Sequence, residues 1–282
     1  MVSRTGQARA PRHPMPQDRV DRPLVAFARD YADGETTGRH AHPRAQLLYA
    51  LRGVMRIATD RASFVVPAGR ALWVPAEEPH AVTTAGEVAM RALFLRADAA
   101  RGGPPGIAVL ATTPLFRELV LAACAEPLEW DEGGRGGHLA ALLLDEIGRA
   151  PTLPFAVPEP REPRLARLAA ALRADLASPL PLEDWAARVG ASPRTLSRLF
   201  RRETGSSPAA WRQTLRLVEA SALLAAGETP ARAAAAVGYA SASAFGVAFR
   251  AAFGTTPAVA ARVPDAHAAG GDGRTTPSRR GT

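Results

Sequence analysis

The chain has 282 residues, 47% of them hydrophobic, which is enough for two domains with real cores, and a formal charge of +8. Cys124 is its single cysteine, so an intramolecular disulfide framework is excluded, and no apolar stretch resembles a signal peptide or a membrane span; a cytoplasmic protein is expected. No nucleophile elbow, phosphate-cradling glycine loop or Cys-x-x-Cys pair is present.

Residues 1–19 are rich in Arg and Pro and read as a disordered tail. Residues 20–105 carry apolar runs of strand length, among them LVAFARDY, AQLLYALRG, VMRIATD, FVVPAG, ALWVPA and VAMRALFLRAD. Gly and Pro separate them at short intervals, which predicts a small all-β antiparallel barrel or sandwich ended by RGGPPG at 101–106. Tyr49, Phe64 and Trp73 are expected in its core or pocket wall.

Three of the six histidines fall into one pattern: Gly34-x5-His40-x-His42-x3-Gln46-x6-Gly53, then Gly69-x5-Pro75-x-Glu77-x2-His80. In an extended segment His40, His42 and Gln46 share a parity, and His80 arrives from another strand. Two outcomes fit such a convergence. The side chains hold a divalent metal, or they line a metal-free pocket and hydrogen-bond to an organic effector or to one another.

Residues 106–150 read as a helical extension that covers the barrel or packs between subunits. Leu115, Leu119 and Ala122 form the apolar face of one helix, and Leu139, Leu142, Leu143 and Ile147 that of the next. Five prolines between 151 and 163 forbid a helix, and that segment reads as a semi-rigid linker.

Residues 164–262 are an all-α unit in which a helix-turn-helix pattern occurs twice. Gly190 matches Gly238 and Phe200 matches Phe249. Ser192-Pro193, Ser207-Pro208 and Thr229-Pro230 each supply an N-cap followed by proline in the first helical turn, and Gly205 and Gly227 stand where left-handed terminators are wanted. In the helix that starts at Pro193, Leu196, Leu199 and Phe200 form an apolar stripe backed by Arg194, Arg198, Arg201 and Arg202. Guanidinium groups facing away from a core suit a helix in the major groove, where arginine pairs bidentately with guanine or holds a phosphate. The second such helix, from Ala242, offers Ser243, Gly246 and Val247 instead, with Arg250 near its end, so it is expected to dock and touch backbone. Residues 263–282 read as a second tail.

The paired motifs resemble the C-terminal DNA-binding domain of the AraC/XylS family. The residues that carry this include Leu182, Ala186, Gly190, Ser192, Leu196, Arg198, Phe200 and Pro208, then Ala233, Gly238, Ser241, Phe245, Phe249, Gly254 and Pro257. The resemblance implies base reading by Arg194, Ser197 and Arg198 and by Ala242, Ser243, Gly246 and Val247. Thr195, Arg201, Arg202 and Arg250 are assigned to the DNA backbone. It also implies RNA polymerase as a partner. The histidine pattern resembles the two cupin motifs, with Gln46 in place of the usual glutamate and Glu77 in place of a glycine. That resemblance implies a small barrel with an effector pocket at His40, His42, Gln46, Tyr49, Trp73 and His80, and in metallated members a metal at His40, His42, Gln46 and His80.

The expectation is therefore a two-domain transcription regulator: a cupin-like sensor with added helices, a linker, and a double helix-turn-helix on promoter DNA. A small-molecule or metal effector controls it, a homodimer is one expected assembly, and no membrane is involved. The alternatives are a metal-dependent cupin enzyme with an appended DNA module, and an architectural DNA binder without a sensor.

Overall fold

The computed structural model describes residues 16–262; of the tails expected at 1–19 and 263–282, all but residues 16–19 lie outside the described residues. Eight strands form one antiparallel sheet: β1 (Leu24–Tyr31), β2 (Ala45–Ala58), β3 (Ala62–Pro67), β4 (Arg70–Val74), β5 (Ala81–Leu95), β6 (Ala108–Ala111), β7 (Thr152–Leu153) and β8 (Ala156–Pro158). Their order is β1-β5-β2-β4-β6-β7, and β3 bridges β2 to β8. The long strand β2 serves two parts of this sheet, pairing with β4 through Gln46–Tyr49 and with β3 through Val54–Ala58.

Both faces of the central strands are buried, so alternation sorts residues between two cores. Leu48, Leu72, Met90 and Phe94 point to the inner face. Leu47, Tyr49, Ala71, Trp73 and Leu93 point outward beneath two helices, α1 (Pro114–Cys124) and α2 (Arg135–Arg149). Tyr49 and Trp73 therefore do not wall the inner pocket: each is offset by an odd number of residues from the inward positions of its own strand.

AQLLYALRG and VMRIATD prove to be a single strand. Gly53 does not break it but sits in an irregularity of the β2–β5 register, at φ +78°. A Cβ there would lie 2.2 Å from the Glu87 carbonyl oxygen, so no other residue fits.

Helix α1 is capped by Thr113, whose hydroxyl accepts from the Phe116 N–H at 3.0 Å. Phe116, Leu119, Val120 and Ala123 are its buried residues, and in α2 they are Gly136, Ala140, Leu143 and Ile147. The expected stripes were rotated: Leu115 is 53% exposed and Leu142 48%, because the sheet meets each helix about one residue away from the most leucine-rich line. Trp130, buried, seals this layer by donating its indole N–H to the Leu24 carbonyl at 3.0 Å. Cys124 is half-buried, and burial pushes its thiol up to about 11.

The segment expected as a linker, and the end of the sheet expected near residue 105, both need correction. Beyond 105, β6 pairs with β4 and β7 with β6, and β8 pairs with β3 through Ala62–Pro158 to Phe64–Ala156. Prolines forbid a helix here but not an edge strand, where a missing N–H faces away from the ladder. At the other end, Pro16–Asp18, expected within the N-terminal tail, form a 3-10 turn with Gln17 buried.

The helical region contains α3 (Pro163–Ala174), α4 (Leu182–Arg188), α5 (Pro193–Thr204), α6 (Pro208–Ala225), α7 (Pro230–Ala236), α8 (Ala242–Phe253) and α9 (Pro257–Ala260). Ser192, Ser207 and Thr229 cap α5, α6 and α7, accepting from the N–H groups of Thr195, Ala210 and Arg232 at 3.2, 3.2 and 3.3 Å. Trp211, Leu215, Val218 and Ala222 on α6 are all buried. At about 1.5 Å per residue its 18 residues span roughly 27 Å.

The two helix-turn-helix units have separate cores. Leu196, Leu199, Phe200 and Trp211 belong to a cluster that runs without interruption into the inner face of the sheet, whereas Ala233, Val237, Phe245 and Phe249 cluster around Leu217 and Leu224 and meet the sheet side through the half-buried Phe253, which stacks on Phe155 at 4.6 Å. Polar contacts reinforce the first junction. Trp211 donates to the Pro158 carbonyl at 2.7 Å, and the Glu203 carboxylate accepts from the N–H groups of Arg161 and Glu162 at 2.9 and 2.8 Å. Arg56 on β2 makes a bidentate pair with Glu219 on α6 at 2.7 and 2.6 Å.

Candidate effector pocket and DNA interface

A cavity of about 380 Å³ opens on the inner face, lined by His40, His42, Gln46 and His80 together with Phe27, Tyr31, Leu48, Val82, Met90 and Phe94. Backbone pairing builds the histidine cluster: His40 and His80 exchange both N–H···O bonds at 2.9 Å, although they lie in separate segments. Their ring centroids are 4.5 Å apart, and His42 stands 4.9 Å from His40 and 6.0 Å from His80. His42 also meets the Phe94 ring edge-on at 5.1 Å.

The turn before His80 is under backbone strain. Glu77, which occupies a position where glycine would be free, has φ +63°, and its N–H reaches the His42 carbonyl at 2.7 Å. That bond ties the His42 segment to the turn that presents His80. Burial, with repulsion from His40 and His42, pushes the pKa of His80 down to about 4 against the favourable bond from its ring to the Glu78 carbonyl. His80 is thus neutral at physiological pH.

The aromatic and aliphatic wall was not singled out in the sequence, yet a signal existed. Gln46 pairs directly with Phe94 across β2 and β5, and Leu48 is two residues from Gln46 on the same face. Once the strand register is known, one pocket residue locates the others.

The DNA side of the molecule is built by local rules. Burial of Leu196, Leu199 and Phe200 turns the opposite face of α5 to solvent: Arg194, Arg198, Arg201 and Arg202 are exposed, and Thr195 and Ser197 half-exposed. Arg202 reaches Glu203 at 3.3 Å, but Arg194, Arg198 and Arg201 carry no ion pair among the described residues. In α8, Ala242, Ser243 and Arg250 are exposed, Gly246 is half-exposed, and Val247 is 71% exposed. Not every arginine of the region is available. Arg216 donates to the Leu176 carbonyl at 2.8 Å and Arg212 to that of Ser178, so both brace the loop after α3. The second turn closes against that loop, since a Cβ on Gly238 would lie 2.6 Å from the Ala177 Cα.

A ligand cavity in an antiparallel sheet domain, joined to two helix-turn-helix units, defines a ligand-responsive DNA-binding regulator. Residues 22–187 match the model of the AraC-like ligand binding domain and residues 185–262 that of a helix-turn-helix domain, and the chain belongs to the AraC family of transcription regulators. It is 29% identical over 241 residues to the HTH-type transcriptional regulator NimR of Escherichia coli K12, covering 85% of this chain and 88% of that protein. Among solved structures, an AraC-type DNA-binding domain regulator from Chromobacterium violaceum is 31% identical over 35% of this chain and 89% of its own, with a TM-score of 0.33. Unsaturated fatty acid-bound ToxT from Vibrio cholerae is 9% identical, covering 85% of this chain and 95% of its own, with a TM-score of 0.36.

Proposed function

We propose that occupancy of the sheet cavity changes the placement of the helix-turn-helix units on promoter DNA, and that strand β2 and helix α6 carry the coupling. One observation supports this above others: β2 presents Gln46 and Leu48 to the cavity and, further along the same strand, clamps Glu219 of α6 through Arg56. A ligand that presses on β2 therefore acts on the helix that spaces the two units, which is the differential contact an allosteric reading requires.

On the DNA, Arg194, Ser197 and Arg198 read bases, with Ala242, Ser243, Gly246 and Val247 as the second, weaker set. Thr195, Arg201, Arg202 and Arg250 hold phosphates. Arg198 is central because it projects from the side of α5 opposite the buried stripe. We assign the protein a binding role and no catalytic residue, a place in the cytoplasm, and RNA polymerase as a partner at the promoter. The exposed Leu115 and Leu142 on α1 and α2 support a homodimer through those helices.

Sequencing the genomic fragments retained by the full chain, then titrating it with an enriched and a scrambled fragment at one salt concentration, tests the reading. The expected preference is at least about a thousandfold, the lower end for specific binders. Equal affinity for both fragments would leave an architectural DNA binder in place of a regulator.

A further inference from the structure

A second cavity, of about 370 Å³, lies on the helix-covered face of the sheet and shares no lining residue with the histidine-lined one. Three parts of the chain meet in it. Tyr49 and Arg70 come from the sheet, Thr112 and Arg117 from the connection after β6 and from α1, and Val259 and Arg262 from α9 and the residues beyond it. Helix α9 packs on the core of the second helix-turn-helix unit through Ala260, so the cavity lies between that unit and the sheet.

Its charge is unbalanced. Arg70, Arg117 and Arg262 line it against a single carboxylate, Glu118, which is already engaged by Arg117. Arg70 and Arg262 make no ion pair among the described residues. Strand pairing sets Arg70 opposite Ala111, beside Thr112, and the Gly69 carbonyl accepts from the Arg70 guanidinium at 2.8 Å and from the Thr112 hydroxyl at 2.7 Å. That bond holds the guanidinium in place and leaves its other N–H groups for a ligand. Burial pulls Arg70 below the ordinary arginine pKa, and no carboxylate among the described residues opposes that shift. A half-buried cation without a counter-ion costs free energy that an anion beside it offsets.

The rest of the wall is apolar. Tyr49 is buried, with its ring edge-on to Phe116 at 5.8 Å, and Leu51 lies two residues further along β2. Val259, on the opposite side, is 60% exposed. Planar guanidinium groups take carboxylate or phosphate oxygens in pairs, and two of them without partners, one from the sheet and one from beyond α9, match two negative charges.

We propose that this cavity binds a small organic dianion, a phosphate monoester or a dicarboxylate, with its charge on Arg70 and Arg262 and its apolar body on Tyr49, Leu51 and Val259, and that the bound anion ties the second helix-turn-helix unit to the sheet. The site is independent of what the histidine-lined cavity holds.

The full chain, in a buffer free of phosphate and carboxylates, is titrated calorimetrically with phenyl phosphate, phthalate and benzyl alcohol. One equivalent of phenyl phosphate or phthalate is expected to bind at least about tenfold more tightly than benzyl alcohol, and the tighter of the two names the charged group. Arg70→Gln and Arg262→Gln are each expected to weaken that binding by about tenfold, the loss of one charge-assisted hydrogen bond. Arg262 is exposed, so its variant is expected to unfold at the wild-type temperature. Hydrogen exchange with the tighter anion is expected to show added protection in β4 and α9 together, and none at residues 40–46. Neither anion binding more tightly than benzyl alcohol, or undiminished binding by Arg262→Gln, overturns the site. Protection at residues 40–46 in place of α9 assigns the anion to the other cavity and overturns it as well. A slope of log affinity against log salt on the scrambled fragment that falls by about 0.9 in Arg262→Gln gives this arginine to a DNA phosphate instead.

Discussion

The two helix-turn-helix units share a topology and differ in almost everything that topology leaves open. The first presents on α5 three arginines that make no ion pair among the described residues, and has a core continuous with the sheet. The second presents Ala242, Ser243 and Val247 on α8 and encloses its own small cluster around Phe245 and Phe249. Duplication thus supplied two helices of like topology, while surface chemistry and core connectivity set them apart.

Core connectivity is the sharpest way to break this comparison. Trp211→Ala is expected to cost about 3 to 5 kcal/mol, the usual range for emptying a buried Trp or Phe site. Because Trp211 packs on Phe200 and donates to Pro158, the loss is expected to lower hydrogen-exchange protection in both α5 and β8. Phe245→Ala is expected to cost a similar amount locally, with protection lost in α7 and α8 and retained in the sheet. Equal loss throughout the molecule after Phe245→Ala would show that the cores are not separate.

Base reading gives a smaller contrast. Arg198→Ala is expected to lose about 1 to 3 kcal/mol on the enriched site and to relax base preference there. Val247→Ala is expected to lose well under that amount. The measurement is a titration against single-base variants of the site; a loss after Arg198→Ala that is the same on specific and scrambled DNA would remove Arg198 from base reading.

The clamp between β2 and α6 comes next. Arg56 and Glu219 are partly exposed, with side chains 42% and 18% accessible, so their pairing is expected to contribute only about 0.2 to 1 kcal/mol to stability in a double-mutant cycle. Its larger consequence is regulatory. Met90→Trp, which fills the cavity from β5, is expected to shift DNA affinity in the wild-type background and to shift it less when Arg56 is alanine. An unchanged shift would place the coupling elsewhere.

The smallest effect tests whether the units are alike at the DNA backbone. Arg201→Ala and Arg250→Ala are each expected to reduce the slope of log affinity against log salt by about 0.9, the value for one phosphate contact on duplex DNA. A change for Arg201 alone would mean that α8 stands off the phosphates.

What the sequence determined by itself was whatever depends on neighbours within one turn or one strand. The Ser-Pro and Thr-Pro caps, the stripe of Leu196, Leu199 and Phe200, and the alternating runs of the sheet follow from contacts at three and four residues, or at two. The histidine motif was legible for a related reason: spacing along an extended chain places His40 and His42 on one side. Tertiary structure decided which side becomes the inside. Tyr49 and Trp73 sit on strands buried on both faces, so alternation alone could not say which face holds the cavity and which meets α1 and α2. The same ambiguity rotated the buried stripes of α1 and α2 away from Leu115 and Leu142. Residues 151–163 carry too few apolar positions to announce β7 and β8, which exist because β6 and β3 offer free edges from more than forty residues upstream. Those pairings carry Pro158 to Trp211 and bring Arg161 and Glu162 to Glu203 of α5, and so the junction between the sheet and the helical region arises from contacts that no local pattern encodes.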